Sequence, residues 1–383
     1  MKLDRWSALI LGSLACVALM LCVNHVPGLT RPEIIENRVL AELPAVPKSL
    51  SALRDYSKKI DAHVSDNFPA RPYFIATLNY LRYRLGYSGT SKIFVGHDGW
   101  LFYDDGSHLD QARDAAPLTA EQRRAWVTTL AGRVEQLRSR NAIYVVLSAP
   151  NKELIFPDKL PRWARKGHGD AEVLEADARR VNEPNLVALR RALVQERRLH
   201  ADVYARYDTH WTGYGAHAAY VALCAKLKEA GFPMEPLPLS DFSPTDAHAK
   251  DLARMLGISS FVRPIFPRFQ HPVQPSLKTI YLSEKADPTG PRIIETGLTG
   301  KPTIQCTEDS FGEELLNFLY PHFSRLILSH PKDGFYREDL ISTYHPDVVL
   351  LEVIETGLRH AMSPAAEPKL ETRDRIREYF RGQ

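Results

Sequence analysis

Cysteine is scarce in this 383-residue chain: there are four, and two of them, Cys16 and Cys22, lie in an apolar N-terminal run. Cys224 and Cys306 alone remain for the body, which excludes a disulfide-stapled scaffold; two residues allow one bridge or none, and free, buried thiols are the expectation. No set of cysteines and histidines has zinc-ligand spacing, so no metal is expected, and no cofactor is called for. Charge of one sign is also lacking, because 49 basic residues against 46 acidic ones leave a net charge of only +3. The pairs Arg123-Arg124, Arg179-Arg180, Arg190-Arg191 and Arg197-Arg198 sit among acids in helical stretches and read as solvated faces. Without interleaved aromatics they do not point to a nucleic-acid partner. Repeats and low-complexity tracts are absent, which excludes a solenoid. With 44% hydrophobic and 25% charged residues, the chain has the composition of an ordinary globular protein with a sizeable core.

One long hydrophobic run is present. Residues 6–30 carry no acidic, lysine or arginine side chain, residues 7–23 are almost entirely apolar, and Lys2 and Arg5 precede them. Such a run spans or nearly spans a bilayer, and the basic flank predicts a cytoplasmic N-terminus with an exported body. A cleaved signal peptide is the competing reading. The stretch Val23-Asn24-His25-Val26-Pro27 lacks small residues at cleavage positions, which favours an uncleaved anchor.

Beyond the anchor, proline-dotted residues 27–47 are expected to be extended. Residues 50–85 read as helix-rich, and Asp98-Gly99 marks a turn in an aromatic hairpin over residues 93–103. Thr119 and Gln122 form a capping box, after which Trp126, Leu130, Val134 and Leu137 recur at helical spacing. Buried strands are expected over residues 142–147, 325–328 and 348–353, with a helix near 186–197 and a strand over 199–204. Alternating strands and helices imply an α/β fold, a parallel sheet with helices on both faces whose ligands bind at the carboxyl ends of the strands. Proline-rich residues 232–302 read as an insertion. The resulting division is 1–26 (anchor), 27–115, 116–358 (catalytic domain) and 359–383 (C-terminal tail).

Chemistry is concentrated in two fragments, Asp208-Thr209-His210-Trp211 and Glu308-Asp309-Ser310-Phe311-Gly312. Residues i and i+2 of an extended or tightly turned segment point the same way, so Asp208 is placed to hold one nitrogen of His210. A serine is a poor nucleophile until an imidazole takes its proton and a carboxylate fixes the imidazole's tautomer. Ser310, His210 and Asp208 are therefore the candidate catalytic residues. Ser310 follows a predicted strand (303–306) and precedes an apolar helical face, where free backbone N–H groups can stabilise an oxyanion.

Further short matches lie in the same chain order: Glu36-Asn37-Arg38, Asp66-Asn67-Phe68-Pro69-Ala70-Arg71, Gly99-Trp100-Leu101-Phe102, Pro150-Asn151-Lys152, Asp251-Leu252-Ala253 and Pro346-Asp347-Val348-Val349. Together with the two fragments above they resemble the alginate O-acetyltransferases of the AlgJ/AlgX type, which have an SGNH-hydrolase-like domain. The resemblance implies a triad of Asp208, His210 and Ser310 with the serine last in the chain. It also implies an O-acetyltransferase that modifies an exported polysaccharide acceptor through a serine acetyl-enzyme. A membrane-bound O-acyltransferase is the implied acetyl-donor partner, and the implied location is the inner membrane, single-pass, with the catalytic domain in the periplasm.

Asn151 and Trp211 are the candidate substrate-binding residues. The amide of Asn151 either donates to an oxyanion or sugar hydroxyl or is a turn residue; Trp211 either stacks on a sugar or, as preferred, buttresses His210. Lys152 reads as a surface or substrate-contact charge. Glu308 stands where related sequences commonly have glycine, and is expected to point to solvent. A carbohydrate esterase and a non-catalytic scaffold of an exopolysaccharide secretion complex remain alternative functions.

Overall fold

The structure is a computed structural model. It describes all residues except 1–4, 36–38, 48, 50–52, 165–166, 168, 247–249, 285, 363–369 and 382–383. The Glu36-Asn37-Arg38 motif lies outside the described residues. The chain divides into two compact units, residues 1–95 with 250–263, and residues 96–249 with 264–383.

In the first unit, the helix Arg5–Cys22 continues through one 3-10 turn, Val23–His25. The segment Arg5–His25 is long and apolar enough to cross a membrane, and none of it is buried in the protein, as a single-pass membrane anchor requires. Helices Leu53–Asn67 and Arg71–Arg84 follow, and β1 (Ile93–Val95) ends the segment. Two side chains of the Asp66-Asn67 motif fasten the chain before them. Asp66 accepts from the Ala41 amide at 2.9 Å, and Asn67 Nδ2 donates to the Ala41 carbonyl at 3.1 Å. Residues 250–263 supply the short helix Asp251–Met255, whose Arg254 forms a forked pair with Glu33 at 3.0 and 2.6 Å, and Phe261, which stacks on Tyr80.

The second unit holds β2 (Leu101–Tyr103), β3 (Ile143–Ala149), β4 (Leu186–Ala188), β5 (Ser243–Asp246), β6 (Pro267–Gln270), β7 (Lys278–Tyr281), β8 (Arg292–Glu295), β9 (Thr303–Thr307), β10 (Arg325–Ser329) and β11 (Val348–Ile354). Seven of these form one sheet in the order β4-β3-β11-β9-β10-β8-β7. The first five run parallel, while β8 lies antiparallel to β10 and β7 antiparallel to β8. The antiparallel edge departs from an all-parallel expectation. It comes from residues 278–295, inside the stretch read as an insertion, where a short link between β7 and β8 permits only an antiparallel return. Strands β5 and β6 make a separate antiparallel pair.

Alternation along β3 and β11 decides which residues meet which helices. Tyr144, Val146, Val349, Leu351 and Val353 pack with Trp126, Leu130 and Val134 of the helix Ala120–Arg138 and with Leu174 of the helix Asp170–Arg180. The Thr119–Gln122 capping box forms in full. Ile376 and Phe380 of the helix Leu370–Phe380 join the same core, so residues read as a tail close one face of the domain. The helix Gly213–Glu229 packs against β3 and β4, and the helix Gly312–Leu319 packs against that helix.

Two local expectations fail. Residues 186–197, read as one helix, begin as β4 and become helical only at Arg190–Glu196, because Leu186 and Val187 pair with Val146 and Leu147 at the sheet edge. Residues 199–204 are a turn ending in a single bridge from Tyr204 to Trp211 instead of a strand. The edge is already occupied by β4, and Leu199 is exposed. The turn expected at Asp98-Gly99 is present, with φ of 56° and 71°.

Candidate active site

A loop and a strand end meet at the site. The loop folds back on itself: Ala205 donates to the His210 carbonyl at 3.1 Å, Thr212 donates to that of Val203 at 2.9 Å, and the Thr212 hydroxyl donates to that of Asp202 at 2.7 Å. Tyr204 anchors it to the end of β3 by donating to the Pro150 carbonyl at 2.5 Å. Asp208 is fully buried, and its Oδ1 accepts from the His210 amide at 3.1 Å and lies 2.6 Å from His210 Nδ1. This is the i, i+2 arrangement expected of a tight turn.

Ser310 comes from the other side, three residues beyond β9. Its Oγ is 2.7 Å from His210 Nε2, and the residue is exposed. Asp208, His210 and Ser310 thus form one hydrogen-bonded line running from a buried carboxylate to an exposed hydroxyl. Such a line lets the imidazole accept the serine proton while the carboxylate stabilises the resulting positive charge.

The next residues hold the two halves together. Trp211 Nε1 donates to the Phe311 carbonyl at 3.0 Å, and the Trp211 and Phe311 rings meet edge to face at 5.2 Å. Phe311 also lies 5.0 Å from the His210 ring. Trp211 and Asn151 are both fully buried, and Asn151 Nδ2 donates to Gln111 Oε1 at 2.8 Å. The structure therefore brings neither of these expected substrate contacts to the surface.

Behind Ser310 lie three acids. Asp309 accepts from Phe311 N at 2.9 Å and from Ile354 N at 2.7 Å, tying the serine turn to the end of β11. Burial raises the pKa of Asp309, opposed by those two amides. Glu352 on β11 is fully buried; burial first, then the neighbouring Asp309 and Glu308, raise its pKa well above the carboxylate range. Glu308 is buried too, against the expectation that it points to solvent, and meets Arg292 of β8 at 3.1 Å. Burial pushes it up to about 8, while Arg292 pulls it down. A Cβ on Gly312 would fall 2.3 Å from Glu308 Oε2, so glycine there lets Glu308 lie beneath the turn. The Phe311 amide is committed to Asp309 Oδ1 and the Gly312 amide to the Asp309 carbonyl at 3.0 Å, so neither of these two amides of the helix start is open to an oxyanion in this arrangement.

Sequence reasoning missed Lys152. It is buried instead of exposed, and its Nζ donates to the carbonyls of Leu101, Ala205, Arg206 and Asp208. Cys224 and Cys306 are buried free thiols.

Among curated relatives, a protein of Pseudomonas aeruginosa described as "Probable alginate O-acetylase AlgJ" is 24% identical over 217 residues, 54% of this chain and 52% of the relative. A protein of Pseudomonas fluorescens with the same description is 22% identical over 320 residues, 79% of this chain and 77% of the relative. The match with the first spans about half of its length. Among solved structures, Bacillus cereus PatB1 with a sulfonyl adduct superposes with a TM-score of 0.50 at 14% identity, covering 70% of this chain and 94% of that one, a likeness of fold. The family model described as "SGNH hydrolase-like domain, acetyltransferase AlgX" matches residues 93–285, taking in Asp208 and His210 and ending before Ser310. The match covers half of the sequence, and the chain belongs to this family of SGNH hydrolase-like acetyltransferases.

Proposed function

We propose that this protein is a polysaccharide O-acetyltransferase working through a serine acetyl-enzyme, with Ser310 as nucleophile, His210 as general base and acid, and Asp208 as the carboxylate that orients and charges the imidazole. The observation that carries this reading is the unbroken line from Asp208 Oδ1 through His210 to Ser310 Oγ, with spacings of 2.6 and 2.7 Å. Family membership and the alginate O-acetylase relatives support acetyl transfer as the reaction class.

In the first step Ser310 Oγ bonds to the acetyl carbonyl carbon as its proton passes to His210 Nε2. The donor's leaving oxygen or sulfur takes that proton as its bond to the acetyl group breaks. A sugar hydroxyl then attacks the acetyl-serine, giving its proton to His210, and Ser310 is released with that proton restored. Trp211 serves as a buttress, holding the His210 and Ser310 loops in register.

The acceptor is an exported polysaccharide, alginate being the one its relatives' descriptions name. The donor partner is a membrane-bound O-acyltransferase, reached because the Arg5–His25 helix holds the catalytic domain on the periplasmic side of the inner membrane. The exposure of Ser310 favours one competing reading, an esterase in which water resolves the acetyl-enzyme. Purified full-length protein given an acetyl ester and an oligosaccharide distinguishes them: transfer predicts acetylated sugar in excess of free acetate and no transfer by Ser310→Ala. Acetate alone, unaffected by added sugar, contradicts the transferase.

A further inference from the structure

Lys152 stands outside the line of Asp208, His210 and Ser310, yet four backbone carbonyls converge on its ammonium. Nζ lies 2.7 Å from the carbonyls of Leu101 and Ala205, 3.0 Å from that of Asp208 and 3.2 Å from that of Arg206. An ammonium has three N–H donors, and a neutral amine only two, so four acceptors around one buried nitrogen call for the charged form. The faces of Trp100 and Phe102 add to that preference, with ring centroids 5.0 and 5.2 Å away. Three of the four carbonyls belong to residues 205–208, the strip of loop leading into His210, and the fourth belongs to β2. The charged groups that face Lys152 are Glu153 and Asp208, which favour the ammonium, and Arg206, which opposes it. His210 stands next in line, bonded to Asp208. Burial pulls the Lys152 pKa down to about 7.

We propose that Lys152 is the positioning residue of this site: its ammonium ties the backbone of residues 205–208 to β2, so that Asp208 meets His210 Nδ1. This rests on Ser310, His210 and Asp208 being the reacting residues. Lys152 touches no substrate and acts only through Asp208.

The test uses the full-length protein in detergent and phenylmethylsulfonyl fluoride, which reports serine activation without donor or acceptor. Ser310 Oγ bonds to sulfur, the S–F bond breaks, the serine proton passes to His210, and fluoride leaves. Sulfonylation rate at Ser310 is read by mass spectrometry, alongside thermal melting and the downfield proton resonance of His210 Nδ1–H. Lys152→Gln, which keeps two donors and loses the charge, is expected to fold, to react about tenfold or more slowly and to shift that resonance. Lys152→Arg, which keeps the charge, should recover part of the rate. A Lys152→Gln protein that melts early but reacts at the wild-type rate, with an unshifted resonance, overturns the proposal. Should Lys152→Gln fail to fold, the wild-type protein decides: its rate should fall as pH rises beyond neutrality and the ammonium loses its proton. A rate that holds up to the alkaline limit of folding overturns the proposal. Ser310→Ala separates the two levels, because labelling that survives at the site in this variant removes the serine reading itself. Labelling lost in Ser310→Ala but unchanged in Lys152→Gln removes only the role of Lys152.

Discussion

Trp211 and Phe311, each one residue beyond a member of the site, are joined by a hydrogen bond of 3.0 Å and an edge-to-face ring contact. The His210 loop and the Ser310 turn are a hundred residues apart in sequence, so this bond sets the register between imidazole and hydroxyl. Trp211→Phe keeps most of the ring packing and orphans the buried Phe311 carbonyl. It should cost about 1–3 kcal/mol of stability and lower the acetylation rate more than one conservative core substitution elsewhere. Thermal melts and rates of the variant beside Trp126→Phe check this; equal losses of rate in the two proteins would make Trp211 ordinary core.

Gly312 permits the unusual acid beneath the serine turn. A methyl group there would meet Glu308 Oε2 at 2.3 Å and Glu308 Cβ at 2.5 Å, so either the Glu308–Arg292 pair or the turn must move. Gly312→Ala is expected to destabilise by about 1–3 kcal/mol, the usual cost of overpacking, and to slow sulfonylation of Ser310. Gly312→Ala combined with Glu308→Gly should restore both, since the double variant has room; failure to restore them means that Glu308 is not what Gly312 accommodates.

How far the sequence spoke depended on how local each interaction is. The Asp208–His210 bond spans two residues and the Thr119–Gln122 capping box three, so both were legible from spacing. The placement of Ser310 between a strand and an apolar helix was legible because both elements are local in sequence. The partner of Glu308 was not, because Arg292 arrives on β8, an antiparallel strand within a stretch that read as loops. Lys152 was illegible for a related reason: its four acceptors come from β2 and the His210 loop, about fifty residues away on either side. Residues 199–204 have strand-like composition, and only the sheet order reveals that β4 already fills that edge.

Glu355 gives a pH-dependent prediction. It is buried, accepts from the Ala171 amide at 3.0 Å, and burial pushes it up to about 8. A carboxyl whose folded pKa exceeds its unfolded value of about 4.5 binds more protons when folded, so it costs stability increasingly as pH rises from the unfolded value toward the folded one. The protein should therefore lose melting temperature from about pH 5 to about pH 8 through this group. Glu355→Gln keeps an acceptor for Ala171 without ionising and should flatten that decline. Parallel melting curves for variant and wild type across the range would rule Glu355 out as its source.

The Arg5–His25 helix predicts behaviour independent of the chemistry. The protein should stay with the membrane fraction at high salt, which screens surface attachment and leaves apolar insertion intact, and leave it only in detergent. A variant lacking residues 1–26 should be soluble and still react with the sulfonyl probe. Release of the intact chain by salt alone would show that this helix does not span.

Whether Ser310 carries the acetyl group is read by mass spectrometry of full-length protein mixed with an acetyl ester and quenched within one turnover. The expected result is one added acetyl group on Ser310 that disappears when oligosaccharide is supplied and is absent in Ser310→Ala. In Asp208→Asn, where the amide favours the wrong imidazole tautomer, it should form on the order of 10⁴-fold more slowly. Transfer to sugar by Ser310→Ala at the wild-type rate, or an acetyl group on another residue that the sugar discharges, would contradict the claim.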